Sequence, residues 1–336
     1  MSGERPEGHE RHAATGTRHA AWFAPRIRAD LRHQDTLTAS FAIIGWACYI
    51  LAALMLSWVV GALIHNDIIA RSVADDVASA PAAWPAESRR KALESARDYN
   101  NALQTVFAGR IPADAQGADG APLETADGKY ANTLDVDGNG AMARLRIPKI
   151  SVNIPVYHTT LDNVLDKGAG HIYGTAMPVG DAHTYSVLAA HSGGVQGMLF
   201  TRLNEMKRGD VFYLDVLGGE HGYRIGDIRT IKPDQMEHTL QMLRAQYAND
   251  NATVTMVTCT PIGVNTDRLL VTGVREPIPD NIPPADTQSD GLLIAIGVGL
   301  ACFLVAILAA ILVTRWIRHR RREQRASSGH GITVHG

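Results

Sequence analysis

Two long apolar stretches dominate the pattern of hydrophobic and polar positions along the chain. Residues 36–65 and 291–314 contain no Asp, Glu, Lys or Arg. Because a helix rises about 1.5 Å per residue, about 20 apolar residues are enough to cross the hydrocarbon of a bilayer. We therefore predict two transmembrane helices rather than two buried core helices. Residues 1–35 are mostly polar, which favours an uncleaved signal anchor over a cleaved signal peptide.

The charges at the ends of these stretches predict the orientation of the chain. Arginines cluster before the first stretch and within residues 315–336, whereas the inner ends carry mainly aspartates. Since Lys and Arg favour the cytoplasmic side, we expect the tails at 1–35 and 315–336 to be cytoplasmic and residues 66–290 to be extracellular. The formal net charge of −2 gives no reason to expect a nucleic-acid partner.

The outer region begins with a helical pattern that connects the membrane to a domain. Apolar residues recur at spacings of three and four, which predicts a helix over 86–107; they are Ala92, Leu93, Ala96, Tyr99, Leu103 and Val106. Residues 108–140 are rich in Gly, Ala, Asp and Pro and have no sustained period. We expect a long, lid-like loop there, so that residues 66–140 form a helix followed by a loop.

Short runs with β character follow over residues 141–275. Gly, Pro, Asn and Asp separate them, with a short helical piece at "LDNVLDK"; the runs are "AMARLRI", "VNIPVYH", "TYSVLAA", "VFYLDVL", "GYRIGDI", "ATVTMVT" and "RLLVTGV". Seven or eight short strands predict a closed barrel or a sandwich. Residues 276–290 contain four prolines and predict a stiff linker to the second apolar stretch.

The segment "DVDGNG" imitates the first half of a calcium-binding loop. Asp135, Asp137, Asn139 and Gly140 occupy suitable positions, but the twelfth position, which needs a bidentate Glu, is Arg146. We therefore predict a turn and no metal site at this segment, and no cofactor elsewhere in the chain.

The three cysteines differ in their predicted surroundings. Cys48 and Cys302 fall within the apolar stretches, where a thiol behaves as a small apolar group. Cys259 is then the single extracellular cysteine, which indicates either pairing with another chain or a reactive thiol. It ends the run "ATVTMVTC", before Thr260 and Pro261, and so lies at a strand end beside a loop, where catalytic groups are often found.

A cysteine nucleophile reacts as the thiolate and needs a basic or cationic neighbour. His191 is the best histidine candidate, because it ends an apolar run and enters the small-residue loop "HSGG"; His158 and His171 are the alternatives. Arg268 opens the run "RLLVTGV", where its position alone allows either a surface charge or a functional group.

Together these residues resemble the sortases, membrane-tethered cysteine transpeptidases of Gram-positive bacteria. The segment "TMVTCTPIGVNTDRLLV" is similar to their Thr-Leu-x-Thr-Cys segment and following arginine, and the resemblance extends over residues 87–275 through "RIPKISVNIPVYH", "VLDKGAGH", "LAAHSG" and "LFTRL". It implies a mainly β fold, an eight-stranded closed barrel (141–275) with short helices, an N-terminal helix and two flanking transmembrane helices. It also implies that Cys259 is the nucleophile, His191 the proton donor and acceptor, and Arg268 the group that binds the substrate backbone and steadies the oxyanion.

The second apolar stretch, the basic tail and the long segment before the barrel resemble class C, the pilus-assembling branch. That class implies cleavage of an LPxTG-like signal between Thr and Gly and transfer to a pilin lysine, with pilin or surface-protein substrates and the lipid bilayer as partners. Met256 replaces the usual leucine, a change that nearly conserves volume. The only prolines between 108 and 140 are Pro112 and Pro122, neither of which follows an aspartate, so we expect a lid-like segment without the usual plug residues.

Three other functions fit parts of the pattern. A housekeeping sortase that anchors proteins to peptidoglycan would keep the chemistry and change the acceptor. In a papain-like thiol hydrolase the cysteine precedes its histidine, whereas His191 precedes Cys259 here. A catalytically idle scaffold domain would leave Cys259 an ordinary, slowly reacting thiol.

Overall fold

A computed structural model describes residues 23–106, 123–136, 138, 140–193, 198–277 and 291–328. The chain divides into two compact units, one of residues 57–302 and one of residues 1–56 with 303–336. The α-helices are α1 (Phe23–Ser79), α2 (Ala86–Val106), α3 (Leu123–Ala126), α4 (Gly128–Asn132), α5 (Asp162–Leu165), α6 (Met236–Tyr247) and α7 (Gly291–Ser328). The strands are β1 (Ala141–Ile147), β2 (Val152–His158), β3 (Ala169–His171), β4 (Tyr185–Ala189), β5 (Val211–Val216), β6 (Gly219–Ile231), β7 (Thr253–Thr260) and β8 (Asp267–Arg275).

The two longest helices contain the apolar stretches. By length and composition, Ile43–Ala83 and Ile296–Arg320 are able to cross a membrane. Large apolar side chains of α1 face outward without cover from the protein, among them Phe41, Leu54 and Trp58, which is 70% exposed. A water-soluble core helix would bury such residues, so their exposure is consistent with a lipid environment.

The eight strands close into a barrel in the order β1-β2-β3-β4-β7-β8-β6-β5. This confirms the mainly β prediction and decides between the barrel and the sandwich. Strand β7 is central to the site, because it pairs in parallel with β4 and antiparallel with β8. The barrel is filled by fully buried side chains such as Leu145, Leu188, Phe212 and Met256. The sequence pattern did not predict strand β3 or helix α6, which the structure contains.

Helix α6 covers the outer face of β4, β7 and β8. A second apolar cluster forms beneath it, from Tyr185, Val187, Leu240, Leu243, Ala248, Val257 and Leu270. Side chains alternate along a strand, so Met256 points into the barrel while Val257 points to the cluster under α6. Cys259, two residues after Val257, therefore lies on the outer face just beyond this cluster.

The long, lid-like loop expected over 108–140 contains two short helices, α3 and α4, within residues 123–132. Asp127 caps α4 by accepting a hydrogen bond from the backbone N–H of Tyr130 (3.0 Å). The Tyr130 side chain is fully buried and its hydroxyl contacts Nδ1 of His171 (3.0 Å). Tertiary contacts stabilise these short helices, and elements of four or five residues leave no periodicity to detect. Residues 107–122, the remainder of the expected lid, lie outside the described residues.

The calcium-like segment forms a turn around Asp135, whose Oδ1 accepts a hydrogen bond from the backbone N–H of Gly140 (2.9 Å). Asp137 and Asn139 lie outside the described residues, as do 278–290 of the predicted linker and the chain ends at 1–22 and 329–336.

Candidate active site

Cys259 lies near the end of β7 and is partly exposed. The chain leaves the strand through residues 261–266, all of them exposed, where the side chains of Ile262 and Val264 are 50% and 64% accessible. Pro261 ends the pairing because it has no N–H to donate, and Gly263 adopts a left-handed conformation (φ 78°) that suits glycine. The thiol thus stands on a rigid strand at the edge of an open loop.

Arg268 is the direct cross-strand partner of Cys259. The two residues face each other in the antiparallel ladder of β7 and β8. Directly opposed residues project from the same face of a sheet with Cβ atoms about 4.5–5.5 Å apart. The nine positions between Cys259 and Arg268 thus correspond to a hairpin, and the hairpin places the guanidinium on the same face as the thiol.

The Arg268 guanidinium forms no ion pair with a residue that the structure describes, and its charge acts on the adjacent Asp267 carboxylate only at longer range. Its Nη1 donates to two backbone carbonyls, those of Asn265 (3.2 Å) and Asp267 (3.1 Å). The adjacent Asp267 carboxylate instead binds Nζ of Lys232 (2.6 Å), and this hydrogen bond, with that of Thr266, lowers the pKa of Asp267. The remaining N–H groups of Arg268 are therefore available to an incoming carbonyl or carboxylate.

His191 follows β4 and lies next to the end of β7. The parallel register pairs Ala189 with Val257, and the N–H of Ala190 donates to the carbonyl of Val257 (3.2 Å). Continuing that register by two residues aligns His191 with Cys259, on strands that are about 4.8 Å apart. The imidazole is 36% exposed, so it is accessible from solvent as a proton-transfer group must be.

Two side-chain hydrogen bonds join the histidine loop to the cysteine strand. Ser192, directly after His191, donates its Oγ–H to the carbonyl of Cys259. Thr258, directly before Cys259, donates its Oγ1–H to the carbonyl of Ala190 (2.8 Å). These reciprocal bonds on either side of the His191 and Cys259 pair fix its spacing.

The loop after His191 also packs against the loop after Cys259. Gly193 has a left-handed conformation (φ 79°), and a Cβ added there would lie 2.9 Å from Cγ2 of Ile262. A larger residue would separate the two loops, which explains a glycine at this position.

Asp166 is a site residue that the sequence pattern did not indicate. Its Oδ1 lies 3.9 Å from Nε2 of His191, and both side chains are partly exposed, 47% and 36% respectively. Nothing in the motif "VLDKGAGH" assigns Asp166 to the histidine, because only the folding of β2, β3 and β4 brings α5 to the end of β4.

The two alternative histidines are buried in the wall of the barrel. His171 is fully buried, with Nε2 2.9 Å from the carbonyl of Ala176, and burial lowers its pKa to about 4. His158 is 5% exposed, and its ring nitrogens contact the carbonyls of Gly140 (2.9 Å) and Thr133 (2.7 Å). Both rings are committed to structural hydrogen bonds, whereas the His191 imidazole is partly exposed.

In the part of the chain that the structure describes, no three His, Cys, Asp or Glu side chains converge as metal ligands. The reactive groups of the site are the thiol of Cys259, the imidazole of His191 and the guanidinium of Arg268, which lie on or next to the neighbouring strands β7, β4 and β8. Such a set supports acyl transfer through a thioester.

Comparison with known proteins identifies the family. The family model "Sortase domain" matches residues 145–276. The chain is 38% identical to sortase C-1 of Actinomyces oris over 56% of this chain and 99% of that one (TM-score 0.48). The chain is 30% identical to Streptococcus pneumoniae sortase C over 62% of this chain and 97% of that one (TM-score 0.51). It is 29% identical to Clostridium perfringens sortase C, solved with the C-terminal cell wall sorting motif, over 62% of this chain and 99% of that one (TM-score 0.49).

The match to the Streptococcus pneumoniae sortase C extends over nearly the whole of that relative, at 30% identity. The chain therefore belongs to the sortase family of cysteine transpeptidases, in class C.

Proposed function

We propose that this sortase cleaves an LPxTG-like sorting signal between Thr and Gly and transfers the acyl group to a lysine amine of a pilin subunit. The relatives support both halves of the reaction. The sortase C of Clostridium perfringens was solved with a C-terminal cell wall sorting motif, and that of Streptococcus pneumoniae is described in terms of pilin substrate specificity.

In the first half-reaction the Cys259 thiolate attacks the carbonyl carbon of the signal threonine. A C–S bond forms, and the carbonyl electron pair moves onto oxygen. Arg268 donates hydrogen bonds to that oxyanion, since its guanidinium stays charged and presents several N–H groups in one plane. When the C–N bond breaks, its electron pair leaves with the glycine nitrogen, which takes a proton from the His191 imidazolium and departs as an amine.

In the second half-reaction a lysine amine attacks the thioester. His191, now neutral, removes a proton from the attacking nitrogen. The C–S bond breaks, Cys259 leaves as the thiolate, and an isopeptide bond joins the two subunits. The imidazolium and thiolate are thereby regenerated for the next cycle.

The registers of β4, β7 and β8 support these roles most directly. His191 continues the alignment of β4 beside Cys259, and Arg268 pairs with Cys259 from the other side. The substrate carbonyl would then lie between a base and an oxyanion donor, with the nucleophile in the middle.

We also propose that the protein is anchored through both apolar helices with its termini in the cytoplasm and its barrel outside. The arginine-rich flanks of the two helices support this orientation. A protease added to intact protoplasts should then remove the barrel and spare an epitope fused to either terminus.

The acceptor is tested with the full-length protein in detergent. It is incubated with a sorting-signal peptide and either a pilin peptide that carries lysine or a peptidoglycan stem peptide. We expect a Cys259 thioester in the mass spectrum, followed by an isopeptide product with the pilin lysine. Transfer to the stem peptide alone would identify a housekeeping sortase, and the absence of a thioester would overturn the proposed chemistry.

A further inference from the structure

A second polar cleft lies at the end of the barrel opposite to Cys259. Its volume is about 480 Å³, and it is bordered by α2, by the turn between β5 and β6, and by the end of β8. Arg268 and Arg275 lie near the two ends of β8, and seven residue-to-residue steps along the strand separate them by about 23 Å. The cleft is therefore separate from the thiol site.

Two guanidinium groups in this cleft lack a counter-charge among the described residues. Arg89 of α2 is partly buried, and its guanidinium has no hydrogen bond or ion pair with a described residue. A Cβ placed on Gly218 would lie 3.9 Å from its Nη1. Arg275 donates from Nη1 to the carbonyl of Gly180 and forms no ion pair with a described residue.

The acidic side chains nearby are committed to other cations. Asp181, the single carboxylate that lines the cleft, binds Arg97 through both oxygens (2.7 and 3.1 Å). Glu276, next to Arg275, is paired with Arg224. The positive charge of Arg89 and Arg275 is therefore not cancelled locally.

His221 adds an unpaired polar atom to the wall of the cleft. It lines the cleft and its Nδ1 is buried, with no hydrogen-bond partner among the described residues. Burial and the neighbouring Arg275 lower its pKa, so the ring is neutral near pH 7 and contributes a polar atom rather than a third charge. Buried polar atoms are nearly always hydrogen-bonded in folded proteins, so an unpaired nitrogen needs an explanation.

We propose that this cleft binds a phosphate group, carried by a soluble phosphodiester or by a lipid headgroup. Two guanidinium groups from different elements match the charge of a phosphate and can each donate to two of its oxygens. A carboxylate would bind one of the two guanidinium groups and leave the positive charge of the other uncompensated. The site lies outside the transpeptidation machinery and gives the enzyme a contact to a phosphate-bearing surface component.

The test compares Arg89→Gln with Lys91→Gln in the full-length protein in detergent. Both variants remove one charge from α2, but Lys91 is an exposed residue that does not line the cleft. Titration with inorganic phosphate, glycerophosphoglycerol and acetate at constant ionic strength is followed by ³¹P NMR line broadening for the phosphates and by calorimetry for all three ligands. We expect saturable phosphate binding to the wild type and to Lys91→Gln, weakened about tenfold in Arg89→Gln, as for loss of a charge-assisted hydrogen bond.

A second arm identifies the source of the phosphate. The three proteins are reconstituted in nanodiscs of phosphatidylglycerol or phosphatidylcholine, and thermal stability is measured. Stabilisation by phosphatidylglycerol that is lost in Arg89→Gln would assign a lipid headgroup, and Arg89-dependent binding of glycerophosphoglycerol without that effect would assign a soluble diester. Equal affinities of Arg89→Gln and wild type, or acetate binding as tight as phosphate binding, would overturn the proposal. Cleavage of a sorting-signal peptide should be unchanged in Arg89→Gln, which confirms that the variant is folded.

Discussion

Cys259 and Arg268 face each other across the β7–β8 ladder, and the guanidinium has no ion-pair partner among the described residues. The proposed role of Arg268 as an oxyanion donor rests on this cross-strand pairing. This relationship defines the first two predictions.

Replacement of Cys259 by Ala should abolish thioester formation and leave the fold intact. The thiol is partly exposed at a strand end, so its loss leaves no sealed cavity in the core. Intact-mass spectrometry with a sorting-signal peptide should show no acyl adduct. Cys302→Ala, in the apolar helix α7, serves as the matched control and should acylate normally. Covalent pilin ladders in cells that carry only Cys259→Ala would contradict the assignment.

Replacement of Arg268 by Lys should lower kcat/KM by about 10²–10³ despite the retained charge, as for loss of one oxyanion donor. An ammonium cannot reproduce the planar set of N–H groups. Peptide cleavage is the measurement, and Arg208→Lys, on the exposed side chain paired with Asp227, is the control. Turnover of Arg268→Lys near that of wild type would rule out a role in the transition state.

Replacement of Asp166 by Asn should lower kcat/KM by about two- to fivefold. The carboxylate lies 3.9 Å from Nε2 of His191, and both groups are partly exposed, so their interaction is worth at most about 1 kcal/mol. The difference from wild type should shrink at high salt, since salt screens exposed charges. Asp166→Glu should restore most of the activity, and Asp162→Asn, at the exposed start of α5, should have none of these effects. A salt-independent loss would indicate a purely structural role.

Replacement of Ser192 by Ala should reduce kcat about two- to tenfold with little change in KM. The hydroxyl donates to the carbonyl of Cys259, and one such bond is worth about 0.5–1.5 kcal/mol. Its loss loosens the spacing of His191 and Cys259 without removing a group that touches substrate. Steady-state kinetics measure the effects on kcat and KM separately. Ser88→Ala, at an exposed position on α2, is the control. An increase in KM with unchanged kcat would instead assign Ser192 to substrate binding.

Acid should destabilise the barrel through His171. Burial lowers its pKa to about 4, below the value near 6.5 expected in the unfolded chain, so the unfolded state binds a proton first as the pH falls. The stabilisation is complete above about pH 6.5 and is lost progressively between about pH 6.5 and 4, amounting to about 3 kcal/mol. Thermal melts across this range should show a flatter pH dependence in His171→Gln than in wild type.

Two further variants keep this prediction testable if His171→Gln folds poorly. His238→Gln, on the exposed face of α6, should retain the pH dependence of the wild type. Tyr130→Phe should destabilise the protein by about 1–2 kcal/mol at pH 7, because the hydroxyl that contacts Nδ1 of His171 is lost within a buried network. Parallel slopes for His171→Gln and wild type would show that another group controls acid stability.

The sequence by itself determined the elements whose signal is local. The two apolar stretches follow from their length and lack of charge. The helix over 86–107 and most of the strands follow from periodicity, because burial of one face imposes a spacing that survives in the sequence. Cys259 was identified because the apolar stretches remove Cys48 and Cys302 from consideration. The resemblance to sortases then supplied His191 and Arg268, which position alone left open against His158, His171 and a surface charge.

Only the tertiary structure decided what depends on contacts between distant segments. Barrel closure and the parallel β4–β7 pairing bring His191 to Cys259, since residues 68 positions apart become neighbours only when strands pair. The same closure buries His158 and His171, brings Asp166 to His191, and gathers Arg89, His221 and Arg275 at the far end of the barrel. Helix α4 belongs with these features, because its Tyr130 is buried and contacts His171 of β3. Local patterns record which face of an element is buried, but they carry no information about which element buries it.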